Sequence, residues 1–293
     1  MSRLLAPLFR YESALPLAAL RISLLAYLLL ARSGDRLFLF EWSQTLPEGF
    51  MNAGSFLRIT PVPFPLSPDQ QSLFWLALTT SGWLACIGLL TRPALWVFTF
   101  CWAYVVALES AWGWHDHGPS LIVQILLVMC VAPGLSTLSV DSVASRILSK
   151  NSSDDKNPLV ASRTVGWPLQ AILLLVFTFY ATSGVSKIRY GGLKWLDGNT
   201  ISFYFSGASK SNQLQQFGGR TNMPDEQKWR DGFGMDYYLY GGGRSLIGKT
   251  VSENRTLSVL AAISGAGLEL LFIPVLFLAG LPRVLLLGAA IIF

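Results

Sequence analysis

The chain has 293 residues, of which 52% are hydrophobic and 13% are charged, with a net charge of +5 and a mean hydropathy of +0.46. The charged share is about half that of a soluble domain, so the composition excludes an ordinary soluble protein and indicates an integral membrane protein. Most basic residues lie in the connections between apolar runs, which argues against nucleic-acid binding.

Six apolar runs approach the roughly 20 residues that a helix needs to cross a bilayer. They predict an all-α fold, a polytopic transmembrane helical bundle of six spans plus a partial seventh. The spans are 15–31, 73–90, 94–108, 121–135, 167–185 and 257–280, and the partial one is 284–293. No polar residues follow the last run, which favours truncation within a seventh span.

We treat residues 1–293 as a single transmembrane domain with two long connections. The first, 32–72, carries aromatic and proline residues and suits an interfacial segment. The second, 186–256, is rich in glycine and tyrosine and is long enough to form a lid on the non-cytoplasmic side.

The lysine and arginine residues of the shorter connections fall unevenly on the two sides. One side collects Arg3, Arg10, Arg92, Arg146, Lys150, Lys156, Arg163 and Arg283, and the other only Arg32, Arg36 and Arg58. Because basic residues are enriched on the cytoplasmic side, this predicts a multi-pass inner (plasma) membrane protein with a cytoplasmic N-terminus. The first connection, the histidine turn and the segment after Lys187 then share the other side.

Lys187 follows the apolar run 167–185 at the predicted membrane boundary. A lysine at the end of a span most often extends to the head groups and does nothing else. The alternative is a general base, if burial beside the lid favours its neutral amine.

His115 and His117 are the only histidines, and Asp116 lies between them. A third metal ligand is missing nearby, so no metal is expected. The turn is either a polar cap on the next span or a source of one imidazole that hydrogen-bonds to a substrate.

Arg21 and Glu269 lie inside predicted spans, where a charge needs a partner or a cavity. They either pair with each other or contribute to binding. Cys86, Cys101 and Cys130 lie in apolar runs, which predicts buried side chains without a disulfide. Motifs typical of ATPases, hydrolases, zinc proteases and dinucleotide-binding proteins are absent.

Several segments resemble the vitamin K-dependent γ-carboxylase-like membrane domain, the HTTM family. The strongest are Trp-Pro-Leu-Gln at 167–170, the run 179–188 that contains Lys187, and Trp195-Leu196-Asp197-Gly198. His117, followed by an apolar span and then Leu138-Ser139-Val140-Asp141, is similar to a second family signature, and 88–92 and 267–270 fit more loosely. The similarity covers most of the chain.

The resemblance implies a site for reduced vitamin K or another quinol. In the carboxylase branch, a lysine matching Lys187 deprotonates the quinol and a histidine matching His117 assists at the substrate carbanion. Trp195, Gly198, Arg21 and Glu269 are the expected cofactor-binding residues. Unlike the animal enzymes, this chain lacks a large soluble domain, and it holds extra residues between Lys187 and Trp195.

Three functions stay open. The first is a quinol-dependent oxygenase or carboxylase with Lys187 as base and His117 as hydrogen-bond partner. The second is a non-catalytic subunit of a larger membrane complex, and the third is a maturation or export factor for a secreted peptide. A carrier is disfavoured because no inverted repeat is visible. The expected partners are membrane lipids, a quinol, and a peptide substrate or complex subunits, and not nucleic acid.

Overall fold

The computed structural model describes residues 12–32, 64, 66–111, 117–148, 163–205, 250–251 and 253–275. These residues are mostly helical and contain no β-strand, so the predicted all-α class is confirmed for them. The helices are α1 (Leu15–Tyr27), α2 (Pro68–Ile87), α3 (Thr91–Ser110), α4 (His117–Val131), α5 (Val140–Leu148), α6 (Arg163–Ser186), α7 (Asn199–Phe205) and α8 (Arg255–Val275). A π-helical turn, Leu28–Arg32, extends α1, and a second, Lys187–Gly191, extends α6 and leads into a 3₁₀ turn, Gly192–Asp197.

Local capping sets where α2 begins and ends. The Ser67 hydroxyl accepts from the Gln70 N–H, and the Gln70 side chain accepts from the Ser67 N–H, which satisfies two free donors of the first turn. Pro68 supplies a backbone angle that suits the first helical position. At the other end Gly88 has a φ of 77°, a left-handed conformation that stops the helix and turns the chain into α3.

The chain divides into two compact units, residues 1–176 and 177–293, and α6 passes from one into the other. In the first unit α3 lies at the centre of the core and packs against α2 and α4. Its Phe98, Trp102 and Tyr104 are almost fully buried, and Phe98 stacks on Trp102 with ring centroids 5.8 Å apart. All three cysteines are buried and free, as predicted.

The second unit contains the end of α6, the two turns that follow it, α7 and α8. The 3₁₀ turn and α7 both pack against α8. Residues 186–205 of the predicted lid are thus helical. The remainder of that lid up to 249, most of the first connection and the run 284–293 lie outside the described residues.

Helices occupy all six positions predicted to span the membrane. Two of the described stretches are long and apolar enough to cross one by length and composition, Thr91–Ser110 and Gly166–Asp197. Two shorter apolar helices cover Leu15–Leu30 and Gly118–Val131. The six-span bundle therefore stays a prediction.

The sequence prediction missed α5, which it treated as part of a connection. Val140, Val143 and Ile147 recur at helical spacing, and all three are exposed. The signal was an amphipathic pattern too short for a span, so a search for membrane-length runs overlooked it.

Candidate functional site

Lys187 is the first residue of the π-helical turn that continues α6. A π turn is wider than an α turn and places its side chains at a different angle, and such turns are frequent at functional sites. The side chain of Lys187 is 26% exposed, so the amine lies between the packed interior of the second unit and its surface.

Glu269 of α8 is the partner of Lys187. The Lys187 Nζ donates to Glu269 Oε1 in a short ion pair. The Ser183 hydroxyl donates to the same oxygen over 3.3 Å. The carboxylate is only 15% exposed, and its other oxygen, Oε2, is buried without a hydrogen-bond partner among the described residues. One oxygen of the carboxylate is therefore engaged by Lys187 and Ser183, and the second can still accept a hydrogen bond.

Gly184 allows α6 and α8 to come close enough for this pair. A Cβ at Gly184 would lie 3.0 Å from the Cβ of Glu269 and 3.3 Å from the Leu270 side chain, closer than most real Cβ contacts. The small residue one turn before Lys187 thus brings the carboxylate within reach of the amine.

Trp195 of the 3₁₀ turn covers the same amine. The Lys187 Nζ lies 5.2 Å from the centroid of the Trp195 ring, within the range of a cation–π contact. The structure thus brings together two of the predicted site residues, Lys187 and Trp195, with a third, Glu269. We call Ser183, Lys187, Trp195 and Glu269 the lysine cluster.

Gly198 has a different surrounding. Its φ is 82°, and a Cβ there would lie 2.7 Å from the backbone nitrogen of Val259 and 3.0 Å from Ser258. Gly198 therefore permits close packing of the turn onto the start of α8. Its carbonyl also accepts from the Ser202 N–H over 2.8 Å, so the described contacts of Gly198 are structural ones.

Arg21, predicted to bind a cofactor or pair with Glu269, has other partners in the first unit. The side chain is 0% exposed, and it donates from Nη1 to the carbonyl of Leu135 over 2.6 Å and from Nη2 to that of Leu138 over 2.9 Å. Glu269 accepts from Lys187 in the second unit, so each of the two charges has partners within its own unit, and the suggested pairing between them stays a prediction.

A carboxylate near Arg21, that of Asp141, has a structural role that was not predicted. Asp141 accepts from the N–H groups of Leu90 and Thr91, over 2.9 and 2.7 Å, and from the Thr91 hydroxyl over 2.7 Å. These donors begin α3, so Asp141 caps a helix that lies 50 residues earlier in the chain. We call Arg21, Gly88, Leu90, Thr91 and Asp141 the arginine junction.

The donors around Asp141 lower its pKa from the ordinary value. Burial opposes ionisation and raises the pKa, but the hydrogen bonds from Thr91 and Leu90 and the charge of Arg21 outweigh it. The arginine junction therefore holds an ionised carboxylate at the start of α3. Both segments of the junction, 88–92 and 138–141, belong to the motifs that the resemblance singled out separately.

His117 is the first residue of α4, and its side chain, like the whole of His115, lies outside the described residues. His117 and Lys187 belong to different compact units. Their meeting in one shared site stays a prediction.

No protein-family model, no curated protein and no solved structure matches this chain. The resemblance to the HTTM family therefore rests on the quoted motifs alone, and the lysine cluster has to be interpreted from its own geometry.

Proposed function

We propose that this chain is a polytopic HTTM-like membrane protein in which the lysine cluster acts as an acid–base site on an apolar quinol. The observation that carries the proposal is the Lys187–Glu269 ion pair between two apolar helices. A charge pair in such surroundings is costly unless it has a role in binding or proton transfer. The proposal includes the multi-pass arrangement with a cytoplasmic N-terminus.

The groups of the cluster fit a quinol head. Glu269 Oε2 is a buried acceptor, and a quinol hydroxyl is a donor of the matching kind. The Trp195 ring beside the amine offers an aromatic surface to a flat aromatic head group. When bound, a reduced quinol supplies acidic hydroxyl protons and two reducing electrons.

The residues of the chain then have distinct tasks. Glu269 Oε2 accepts the hydrogen bond of the hydroxyl and orients it toward the pair. Lys187 acts as the base in the form of the pair in which its proton has passed to Glu269 Oε1, so that the neutral amine has a lone pair for the hydroxyl proton, and the Ser183 hydroxyl helps to hold the carboxyl group in place. Trp195 covers the amine and keeps water from it. In this proposal His117 provides a further hydrogen bond to the substrate.

The experiment gives purified protein reduced vitamin K, oxygen and bicarbonate, and measures the epoxide of the vitamin. We expect Lys187→Ala and Glu269→Gln each to reduce the rate by about a hundredfold or more, the usual range for loss of general acid–base catalysis. Lys194→Ala is the matched control, because Lys194 is an exposed lysine of the same segment. Wild-type protein that forms no epoxide above background would end this version of the proposal.

A second candidate function is a non-catalytic subunit of a membrane complex. The observation that favours it is the low burial of the apolar 18-residue window within Gly166–Asp197, of which 22% is buried, against 61% for the window within Thr91–Ser110. Apolar surface left uncovered in this way suits contact with lipid or with another helix. Mild-detergent purification separates the candidates: partners that co-migrate, together with unchanged function of Lys187→Ala in cells, would favour the subunit.

The orientation can be tested independently of chemistry. In intact cells, an impermeant maleimide should label Lys194→Cys and not Ser152→Cys, because the charge count places position 194 outside and 152 inside. Labelling of Ser152→Cys alone would reverse the proposed topology.

A further inference from the structure

The end of α6 carries a groove of about 420 Å³. Phe177, Ala181 and Val185 form part of its apolar wall, and Arg189 and Tyr190 lie at one end. The lining residues do not include Ser183, Gly184 or Lys187, which face α8. The groove is thus a separate surface from the lysine cluster, although the same helix bears both.

The chain positions of the groove residues explain its shape. Phe177, Ala181 and Val185 follow one another at intervals of four on α6, so they form a single ridge, and Arg189 follows in the π-helical turn that continues the helix. The twelve residue steps from Phe177 to Arg189 extend at most about 18 Å at the α-helical rise. This is close to half of the roughly 30 Å hydrocarbon thickness of a bilayer, so the groove matches the depth of one leaflet.

One of the hydroxyl groups that line the groove, that of Thr182, already has acceptors on its own helix. Thr182, which lines the groove, donates its hydroxyl to the carbonyls of Thr178 and Phe179 on its own helix, over 2.8 and 2.9 Å. Its hydrogen-bonding capacity as a donor is used there, so its methyl group is what remains for an apolar occupant.

Arg189 gives the groove a charged end. Its guanidinium lies 5.4 Å from the centroid of the Tyr190 ring, and among the described residues no carboxylate is within ion-pair distance of it. Tyr190 and Arg189 are both exposed. A guanidinium presents parallel N–H donors that match two oxygens of a phosphate.

We propose that this groove is a binding site for an anionic phospholipid, with an acyl chain along the ridge and the phosphate on Arg189. The site rests on the membrane location in the proposed function, and it does not need the lysine cluster to be catalytic. The chemistry that selects the occupant is an apolar channel one leaflet deep that ends in a cation, Arg189, for which the described residues supply no carboxylate partner.

The test reconstitutes the full chain in lipid nanodiscs that contain a phosphatidylglycerol probe with a photoactivatable acyl chain. Labelled peptides are then mapped by mass spectrometry. We expect labelling concentrated on residues 177–190, and a reduction of about tenfold in Arg189→Gln, which is one charge-assisted contact of about 1.4 kcal/mol. Lys194→Gln, the matched exposed cation that does not line the groove, should label as the wild type does.

A second variant and a second probe make the result decisive. Ala181→Trp should fill the groove and block labelling while Arg189 is intact, and thermal melting in detergent checks that it still folds. A phosphatidylcholine probe should label the same residues less. Labelling that is spread evenly along the apolar helices, or that ignores Arg189→Gln, would overturn the lipid site and leave the membrane location standing. Failure of every probe to label any helix would overturn the site and the membrane location together.

Discussion

The arginine junction and the lysine cluster each contain a charged side chain among apolar helices, and the two differ in how that charge is partnered. Arg21 is fully buried and donates to two backbone carbonyls, while Asp141 nearby accepts three donors from the start of α3. Lys187 and Glu269 are partly exposed, hold each other by side chains, and leave Glu269 Oε2 without a partner in the described part. The arginine junction joins backbone segments and has a structural role. The lysine cluster keeps that oxygen available to accept a hydrogen bond, which is what a binding site requires.

The largest expected effect on stability is at Arg21. Arg21→Met leaves the buried carbonyls of Leu135 and Leu138 without their donors, so we expect a loss of roughly 3 kcal/mol or more in the free energy of unfolding. Thermal melting in mild detergent, followed by tryptophan fluorescence, measures it. Arg255→Met, at an exposed arginine of α8, is the control and should change little. Equal melting temperatures of Arg21→Met and wild type would show that the arginine junction does not stabilise the fold.

Substitution of Gly88 tests the close packing of the arginine junction rather than its charges. With a φ of 77° and a Cβ position only 2.2 Å from the Cβ of Ser139, Gly88→Ala combines backbone strain with a clash, at a cost of roughly 2–4 kcal/mol. Gly192→Ala is the comparison, because Gly192 has a φ of 56° and a ψ of −151°, a backbone region at least as unfavourable for alanine, but open space around it. Its loss of roughly 1–3 kcal/mol should come from backbone strain alone. Similar losses in the two variants would mean that the close approach to Ser139 is unimportant.

Asp141 makes the stability of the first unit depend on pH. Its folded-state pKa is lowered from the ordinary carboxyl value, so its stabilisation is present above the unfolded-state pKa and is lost as the pH falls through the lower folded-state pKa. Asp141→Asn should lose about 1 kcal/mol at neutral pH, as for loss of a helix cap. The difference in melting temperature between wild type and Asp141→Asn should then shrink in acid. A difference that grows in acid would contradict the assigned direction.

The smallest expected effect on stability is at the lysine cluster. Glu269→Gln keeps an oxygen that can accept from Lys187, and the pair is partly exposed, so we expect a change below about 1 kcal/mol. Melting should therefore be close to that of wild type while quinol turnover is lost. A large drop in stability with turnover retained would mean that the lysine cluster has a structural role and not a catalytic one.

The sequence predicted the helices well because apolar runs of membrane length are a strong signal. It placed their ends less well: α2 begins at Pro68 rather than at 73, since the capping box makes a polar first turn helical. The candidate residues Lys187 and Glu269 were found from charge in apolar surroundings. Their pairing was not, because they are 82 residues apart and a charge pattern does not say which cation a carboxylate meets. Asp141 was missed as a cap for the same reason, since the helix that it caps, α3, begins 50 residues earlier in the chain.

The π-helical turn at Lys187 has a consequence for how this segment tolerates change in length. A π turn accommodates one residue more than an α turn, so the number of residues in this turn sets where the indole lies relative to the amine. Removing one residue from 188–191 would rotate everything beyond it by about 100° about the helix axis. The indole would then leave the amine, while Glu269, which approaches from α8, would stay. We therefore expect natural variation to preserve the number of residues in this turn more strictly than their identity.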